Sequence, residues 1–170
     1  GATMFREAMQ QSARIIEVGD VRIGYVHVWS YAGQAYQDLL IELLHGPLSA
    51  AQALVLDLRD GLGGASPAYL NLFNRDIPVL VSKMPRTQET LVSDSQWRRP
   101  VALVINQRTT SGKEVFAWGF QRSGRGPVVG ETTAGAVVAG MLQFLPDYSV
   151  MYLAAADVEV DGHRLEGVGV

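Results

Sequence analysis

The feature that most constrains the fold of this chain is a pair of short, almost uninterrupted apolar segments, residues 53–58 and 100–106. Strands that are apolar at nearly every position are typical of a parallel sheet covered on both faces. Helical patterns lie before, between and after them. The clearest is residues 32–44, where the apolar side chains repeat with a helical period at Tyr36, Leu39, Leu40, Leu43 and Leu44. This alternation predicts an α/β fold.

Further β structure is predicted on either side of that alternation. Residues 12–18 and 21–29 read as an N-terminal β-hairpin, and residues 77–82 read as a strand followed by a polar excursion over 84–99. The last strands are predicted at 141–145, 150–155 and 157–160, with Asp161-Gly162 as a hairpin turn. Residues 4–10 read as a short helical turn or a linker. We expect residues 1–11 to be a linker and residues 12–170 to form one domain.

Composition and charge exclude several classes of function. The net charge is −3 and no basic stripe is present, so we expect no nucleic-acid partner. There is no Cys, and the three His residues share no ligand spacing, so no metal or other cofactor is predicted. No apolar run is long enough to predict a membrane span.

Ser111 is the first candidate for chemistry. It lies where the apolar segment 100–106 gives way to a helical pattern that begins near Gly112. A hydroxyl at a helix N-terminus can attack a carbonyl, because neighbouring N–H groups can hold the oxyanion that forms. The Ser-x-x-Glu spacing to Glu114 also fits a capping box, so Ser111 could simply cap the helix.

Two further features accompany Ser111. The segment 53–58 ends in the Gly-rich loop 59–64, whose Gly63 and Gly64 would let the backbone approach a ligand closely. His27 lies on an apolar strand face and is either a general base or, as such residues more often are, a hydrogen-bonded core residue.

Three segments in this order resemble the tail-specific, or carboxy-terminal processing, serine peptidases. Residues 54–64 are similar to that family's Leu-Asp-Leu-Arg-x-x-x-Gly-Gly segment, residues 100–116 to its nucleophile strand, turn and helix, and residues 130–135 to its Gly-Glu-x-Thr-x-Gly loop. The branch of the tricorn protease core and the interphotoreceptor retinoid-binding protein modules looks most similar. The resemblance implies the ClpP/crotonase-like fold, built of ββα units.

Carried over by position, the resemblance implies that Ser111 is the nucleophile. It implies that the N–H of Gly112 is one oxyanion donor and that the N–H of Gly64, or of Gly63, is the other. Glu166 occupies the position of a Glu that helps to orient the base in the tricorn-like branch, although a solvated hairpin residue is an equal alternative.

The chain also departs from the family pattern. The general-base Lys of the Ser-Lys enzymes would follow Gly135, where this chain has Ala136. The His base of the tricorn-like branch lies upstream of a PDZ-like domain, and no matching segment is present. We therefore expect residues 1–170 to be the nucleophile-bearing core of a longer protein, with the base either upstream or supplied by His27.

The resemblance thus implies a serine endopeptidase that cleaves polypeptides, with sites near their C-termini a possibility. One alternative is a catalytically inactive module on the same fold that binds peptides or lipophilic molecules. A weaker one is an acyl-CoA enzyme, for which no basic cluster is found. The family favours an exported or periplasmic location, and a strand edge left uncovered would favour a homo-oligomer.

Overall fold

The computed structural model describes residues 2–170 and belongs to the mixed α/β class. Its elements in chain order are α1 (Ala2–Ser12), β1 (Arg14–Val18), β2 (Val21–His27), α2 (Gln34–His45), β3 (Ala53–Asp57), a 3₁₀ helix (Pro67–Phe73), β4 (Leu80–Lys83), β5 (Thr90–Ser93), β6 (Val101–Ile105), α3 (Gly112–Arg122), β7 (Val128–Gly130), β8 (Ala139–Phe144), β9 (Val150–Ala156), β10 (Glu159–Val160) and β11 (His163–Arg164).

A five-stranded sheet in the order β1-β2-β3-β6-β7 organises the molecule. The predicted N-terminal hairpin is confirmed, since β1 and β2 pair antiparallel from Val18–Val21 to Arg14–Tyr25. The next three pairings, β2–β3, β3–β6 and β6–β7, are all parallel. The two apolar segments therefore lie side by side at the centre of a parallel arrangement, as their composition predicted.

The core lies between this sheet and the helices. Leu54 and Leu56 on β3 and Leu103 on β6 are fully or almost fully buried. The apolar stripe predicted for α2 is confirmed, because all five of its members are buried. Phe116 and Phe120 of α3 add a second set of buried side chains that packs against Phe73.

The first segment differs from the linker that we predicted for residues 1–11. From Ala2 onward it is a helix, and Gly1 lies outside the described residues. Phe5, Ala8, Met9 and Ser12 recur at helical spacing on the inward side, and Met9 is fully buried in the core. Burial of this short stripe explains the helix, since an isolated helix of this length is marginal in water.

Two hairpins stand apart from the central sheet. The strand predicted at 77–82 is displaced to β4, which pairs antiparallel with β5 and has every residue exposed. The longer pair, β8 and β9, runs antiparallel from Ala139–Ala156 to Phe144–Val150 and is also exposed almost throughout. The predicted turn at Asp161-Gly162 is present, with φ of 50° and 73° at its two residues. No helix within residues 2–170 is both long and apolar enough to cross a membrane.

Candidate active site

Ser111 has an unusual backbone conformation at the junction between β6 and α3. Its φ is 58° and its ψ is −131°, whereas a residue that only caps a helix usually lies in the β region. A side chain at such angles costs about 1–3 kcal/mol, so the surrounding structure must hold it there. Strain of this kind is common where a side chain has to be presented for chemistry.

The carboxylate of Glu114 provides much of that support. It is fully buried, and its Oε2 accepts hydrogen bonds from the backbone N–H groups of Ser111 at 2.8 Å and Ala136 at 2.9 Å. Its Oε1 accepts from the hydroxyl of Thr133 and the N–H of Gly135, both at 2.7 Å. The bond to Ser111 is the one expected of a capping box, and the other three tie the loop 133–136 to the start of α3.

The Gly-rich loop after β3 lies directly against the Ser111 turn. A Cβ added to Gly63 would be 2.5 Å from the Cβ of Ser111, and one added to Gly112 would be 2.5 Å from the N of Ala65. Within residues 2–170, the N–H groups of Gly64 and Gly112 donate to no protein acceptor. The sequence-predicted donors are therefore beside the predicted nucleophile and are unused.

Ala136 is also adjacent to Ser111, because its carbonyl accepts the Ser111 N–H at 2.9 Å. The position that would hold a general-base lysine in the resemblance is thus in contact with the Ser111 backbone but carries only a methyl group. Glu166 holds the two residues that follow this loop, since its Oε2 accepts from the N–H groups of Val137 at 2.7 Å and Val138 at 3.0 Å.

His27 is engaged in a different cluster at the ends of β2 and β3. Its Nε2 is 2.8 Å from the carbonyl oxygen of Arg59, and its ring stacks on Trp29 with 3.7 Å between the ring centroids. Opposite it on β3 lies Asp57, which is fully buried and paired with the guanidinium of Arg59 at 2.6 Å. Burial raises the pKa of the Asp57 carboxyl, but the hydrogen bonds from Arg59 outweigh it, so this pKa is lower than usual.

Of the residues predicted from the sequence, Ser111, Gly63, Gly64 and Gly112 lie together in the fold. Glu166 binds a neighbouring segment, and His27 belongs to a different cluster. Sequence reasoning missed the role of Glu114, which reads only as a helix cap, and of its partner Thr133. One feature of the sequence could have indicated the role of Glu114. No basic residue lies three or four positions away to pair with its carboxylate, so other donors must bind it if the capping box buries it. No group of three or more His, Cys, Asp or Glu side chains is arranged as a metal site within residues 2–170.

Comparison with known proteins agrees with this geometry. The family model described as Peptidase family S41 matches residues 22–170. The chain is 26% identical over 172 residues to the carboxyl-terminal-processing protease of Synechocystis sp., covering 95% of this chain and 40% of that protein. It is 30% identical over 164 residues to the chloroplastic carboxyl-terminal-processing peptidase 1 of Arabidopsis thaliana, covering 91% of this chain and 34% of that protein.

A similar fold is found in a solved structure of the tricorn protease, with a TM-score of 0.70 and 22% identity. That match covers 99% of this chain and 16% of the tricorn chain. In each of these three comparisons the chain spans less than half of the protein that it matches.

Proposed function

Because the chain belongs to peptidase family S41, we propose that it is the nucleophile-bearing core of a serine endopeptidase that hydrolyses peptide bonds, including bonds near polypeptide C-termini. The observation that carries this proposal is the contact between the Gly-rich loop and Ser111. Two further observations support it: the N–H groups of Gly64 and Gly112 donate to no acceptor within residues 2–170, and Ser111 has a strained backbone at a helix N-terminus.

The chemistry proposed is acyl transfer. The Ser111 hydroxyl attacks the carbonyl carbon of a substrate peptide bond, and the oxyanion of the tetrahedral intermediate is held by the N–H groups of Gly112 and Gly64, with Gly63 as the alternative donor. Collapse of the intermediate expels the amine and leaves an acyl-enzyme, which water then hydrolyses. An oxyanion donor of this kind typically contributes on the order of a hundredfold or more in rate.

Residue 136 cannot supply the general base, because Ala136 has no group that can accept a proton. His27 is the candidate within the chain, but its Nε2 is already 2.8 Å from the Arg59 carbonyl. A histidine supplied from a part of the protein outside residues 1–170 fits better with that contact. Glu166, which orders residues 137 and 138, is proposed to position the base side of the site.

We also propose that the chain has the ClpP/crotonase-like fold. The parallel order β2-β3-β6-β7, with a helix or loop excursion after each strand, supports a ClpP/crotonase-like arrangement of ββα units. We assign residues 12–170 to one core domain, onto which α1 packs through Met9.

Labelling with a fluorophosphonate probe for serine hydrolases tests the function. The chain, its Ser111→Ala variant and the longest available form of the protein are compared at equal concentration. We expect labelling that disappears with Ser111→Ala. Labelling of the chain itself would place the base within residues 1–170 and make His27→Ala the next variant, whereas labelling of only the longer form would place the base outside them. No labelling in any form would overturn the peptidase proposal.

The methyl group of Ala136 favours one second candidate, a catalytically inactive module that binds an extended peptide or a lipophilic molecule on the same fold. In that case Ser111 serves only as a helix cap. Absence of labelling, combined with saturable binding of a peptide that survives Ser111→Ala, would support this module over the peptidase.

A further inference from the structure

Lys113 is the most unusual side chain near the site that the proposed chemistry does not use. It is one of two lysines in the chain, and it is fully buried, whereas Lys83 is exposed on β4. The salt bridges within residues 2–170 are all made by arginines. Burying a lysine ammonium without a carboxylate in contact costs free energy, so other acceptors must bind it.

Those contacts are two backbone carbonyl groups. The Nζ of Lys113 donates to the oxygen of Asp60 at 2.8 Å and to the oxygen of Trp29 at 3.3 Å. The Trp29 oxygen also accepts the N–H of Leu62 at 2.8 Å. The ammonium group therefore joins the segment after β2 to the first half of the Gly-rich loop.

The fit of that loop is tight. A Cβ added to Gly61 would be 1.8 Å from the Trp29 oxygen, so the loop backbone lies flat against the Trp29 segment. Two and three positions further along the same loop are Gly63, which touches Ser111, and Gly64, the proposed oxyanion donor. Lys113 itself directly follows Gly112, the other proposed donor.

We propose that Lys113 is a positioning residue, which fixes the Gly-rich loop to the start of α3 and thereby sets the spacing between the two oxyanion donors. This inference rests on the proposed function. The side chain does not act as the general base, because its donors are directed to Trp29 and Asp60. A displacement of such donors by about 1 Å is enough to cost on the order of a hundredfold in rate.

The strength of this link depends on pH. Burial lowers the pKa of Lys113 from 10.5 to about 8, although the carboxylates of Asp57 and Asp60 act to raise it. The groups that face these carboxylates are the guanidinium of Arg59 on Asp57, the guanidinium of Arg108 on Asp60, and the side chains of Tyr25 and His27 beside Asp57. Above pH 8 the neutral amine donates weaker hydrogen bonds than the ammonium, so we expect the loop to loosen.

Global stability changes in the opposite direction over the same pH range. Since the pKa of Lys113 is about 8 in the folded chain and near 10.5 when unfolded, the unfolded chain binds more protons between these values. This group therefore makes the folded state more stable as the pH rises from 8 toward 10. We therefore expect the loop to loosen above pH 8 without a loss of global stability, so the two effects can be measured separately.

The test compares Lys113→Met, which keeps the length of the side chain but removes its charge and donors, with Lys83→Met as the matched control. Amide hydrogen exchange is followed at Leu62 and Tyr31, whose N–H groups join the loop to the Trp29 segment, and at Leu103 in β6. We expect exchange about tenfold faster or more at Leu62 and Tyr31 in Lys113→Met, with Leu103 unchanged. Unchanged exchange at Leu62, or equally faster exchange at all three amides, would overturn the proposal.

Fluorophosphonate labelling of the longest available form adds the functional readout. We expect labelling of the unaltered protein to decline above pH 8. Lys113→Met should slow labelling of Ser111 at least tenfold at pH 7 and remove that decline, while Lys83→Met changes neither. Labelling at the normal rate in Lys113→Met would refute the positioning role. If no form is labelled, the peptidase proposal fails, and the exchange data still decide whether Lys113 fixes the loop.

Discussion

At the scale of single residues, the candidate site depends on the absence of side-chain atoms as much as on their presence. Gly63 leaves no room for a methyl group, because a Cβ there would lie 2.5 Å from the Cβ of Ser111 and 2.7 Å from the oxygen of Thr110. Backbone atoms cannot move aside as a flexible side chain can. The contact between the loop and Ser111 is therefore possible only with glycine at this position.

We expect Gly63→Ala to slow labelling of Ser111 by about a hundredfold and to lower the free energy of unfolding by about 1–3 kcal/mol. The rate is measured with the fluorophosphonate probe in whichever form of the protein is labelled, and stability by urea unfolding. Gly19→Ala is the control, since Gly19 has a φ of 59° with no atom within 4 Å of its added Cβ. It should cost some stability and leave labelling intact. Equal labelling rates in the two variants would contradict the crowding argument.

Sequence reasoning at this scale identified residue types but not their contacts. The resemblance singled out Ser111, Gly63 and Gly64 because their motif spacing is readable along the chain. Lys113 belongs to none of those motifs, and in the sequence only its scarcity, as one of two lysines, sets it apart. Its carbonyl partners, Trp29 and Asp60, lie 84 and 53 positions away, and no periodicity links them to it.

At the scale of elements, Glu114 links α3 to the loop 133–136. Its carboxylate accepts four hydrogen bonds, three of them from that loop. No salt bridge within residues 2–170 includes this carboxylate. Four donors compensate the burial of the charge, as they do for carboxylates bound by backbone N–H groups. The loop and the helix should therefore hold their relative position only while this carboxylate is intact.

Glu114→Gln replaces one accepting oxygen by an NH₂ group that faces donors. We expect the free energy of unfolding to fall by about 2–4 kcal/mol, because in either orientation of the amide at least one backbone N–H group loses its acceptor. Urea unfolding measures the change, and Glu89→Gln, at an exposed position in the β4–β5 hairpin segment, should differ from the unaltered chain by less than about 0.5 kcal/mol. A loss below about 1 kcal/mol in Glu114→Gln would show that the four bonds contribute little.

The elements that the sequence predicted best are those whose pattern is local and repeated. Strands β3 and β6 and the helix α2 follow from apolar composition and period, and all three are present with small shifts at their ends. For helix α1 the sequence left a short helical turn and a linker open, because only a short apolar stripe marks it and its stability comes from packing of Met9 against distant residues. Strand β4 was displaced because its partner is a neighbouring hairpin strand rather than the central sheet.

At the scale of the whole molecule, the β8–β9 hairpin exposes a continuous set of apolar side chains. Leu142 and Tyr152 face each other across the hairpin and are 60% and 68% exposed, and Phe144 is 72% exposed. Between Ala139 and Ala156 the only charged residue is Asp147. Contiguous exposed apolar surface of this kind usually marks a contact with another protein surface.

We expect this surface to drive association of the chain with itself. Sedimentation velocity over a hundredfold range of concentration should show species larger than a monomer for the unaltered chain, and a monomer for the double variant Leu142→Lys/Tyr152→Lys, because the added charges oppose burial of the hairpin. Gln121→Lys/Arg122→Lys, which places lysines on the exposed end of α3, is the control and should associate normally. A chain that stays monomeric throughout would rule out self-association through the hairpin.

The contacts made by the start of α3 determine when the candidate site is assembled during folding. Ser111 and Glu114 both contact the loop 133–136, whereas Lys113 contacts the segments at 29 and 60. These parts are separated by up to about a hundred positions along the chain, so they meet only when the fold is complete. A newly made or partly unfolded molecule would therefore lack the assembled site that we propose for peptide cleavage, and cleavage would be restricted to the folded protein.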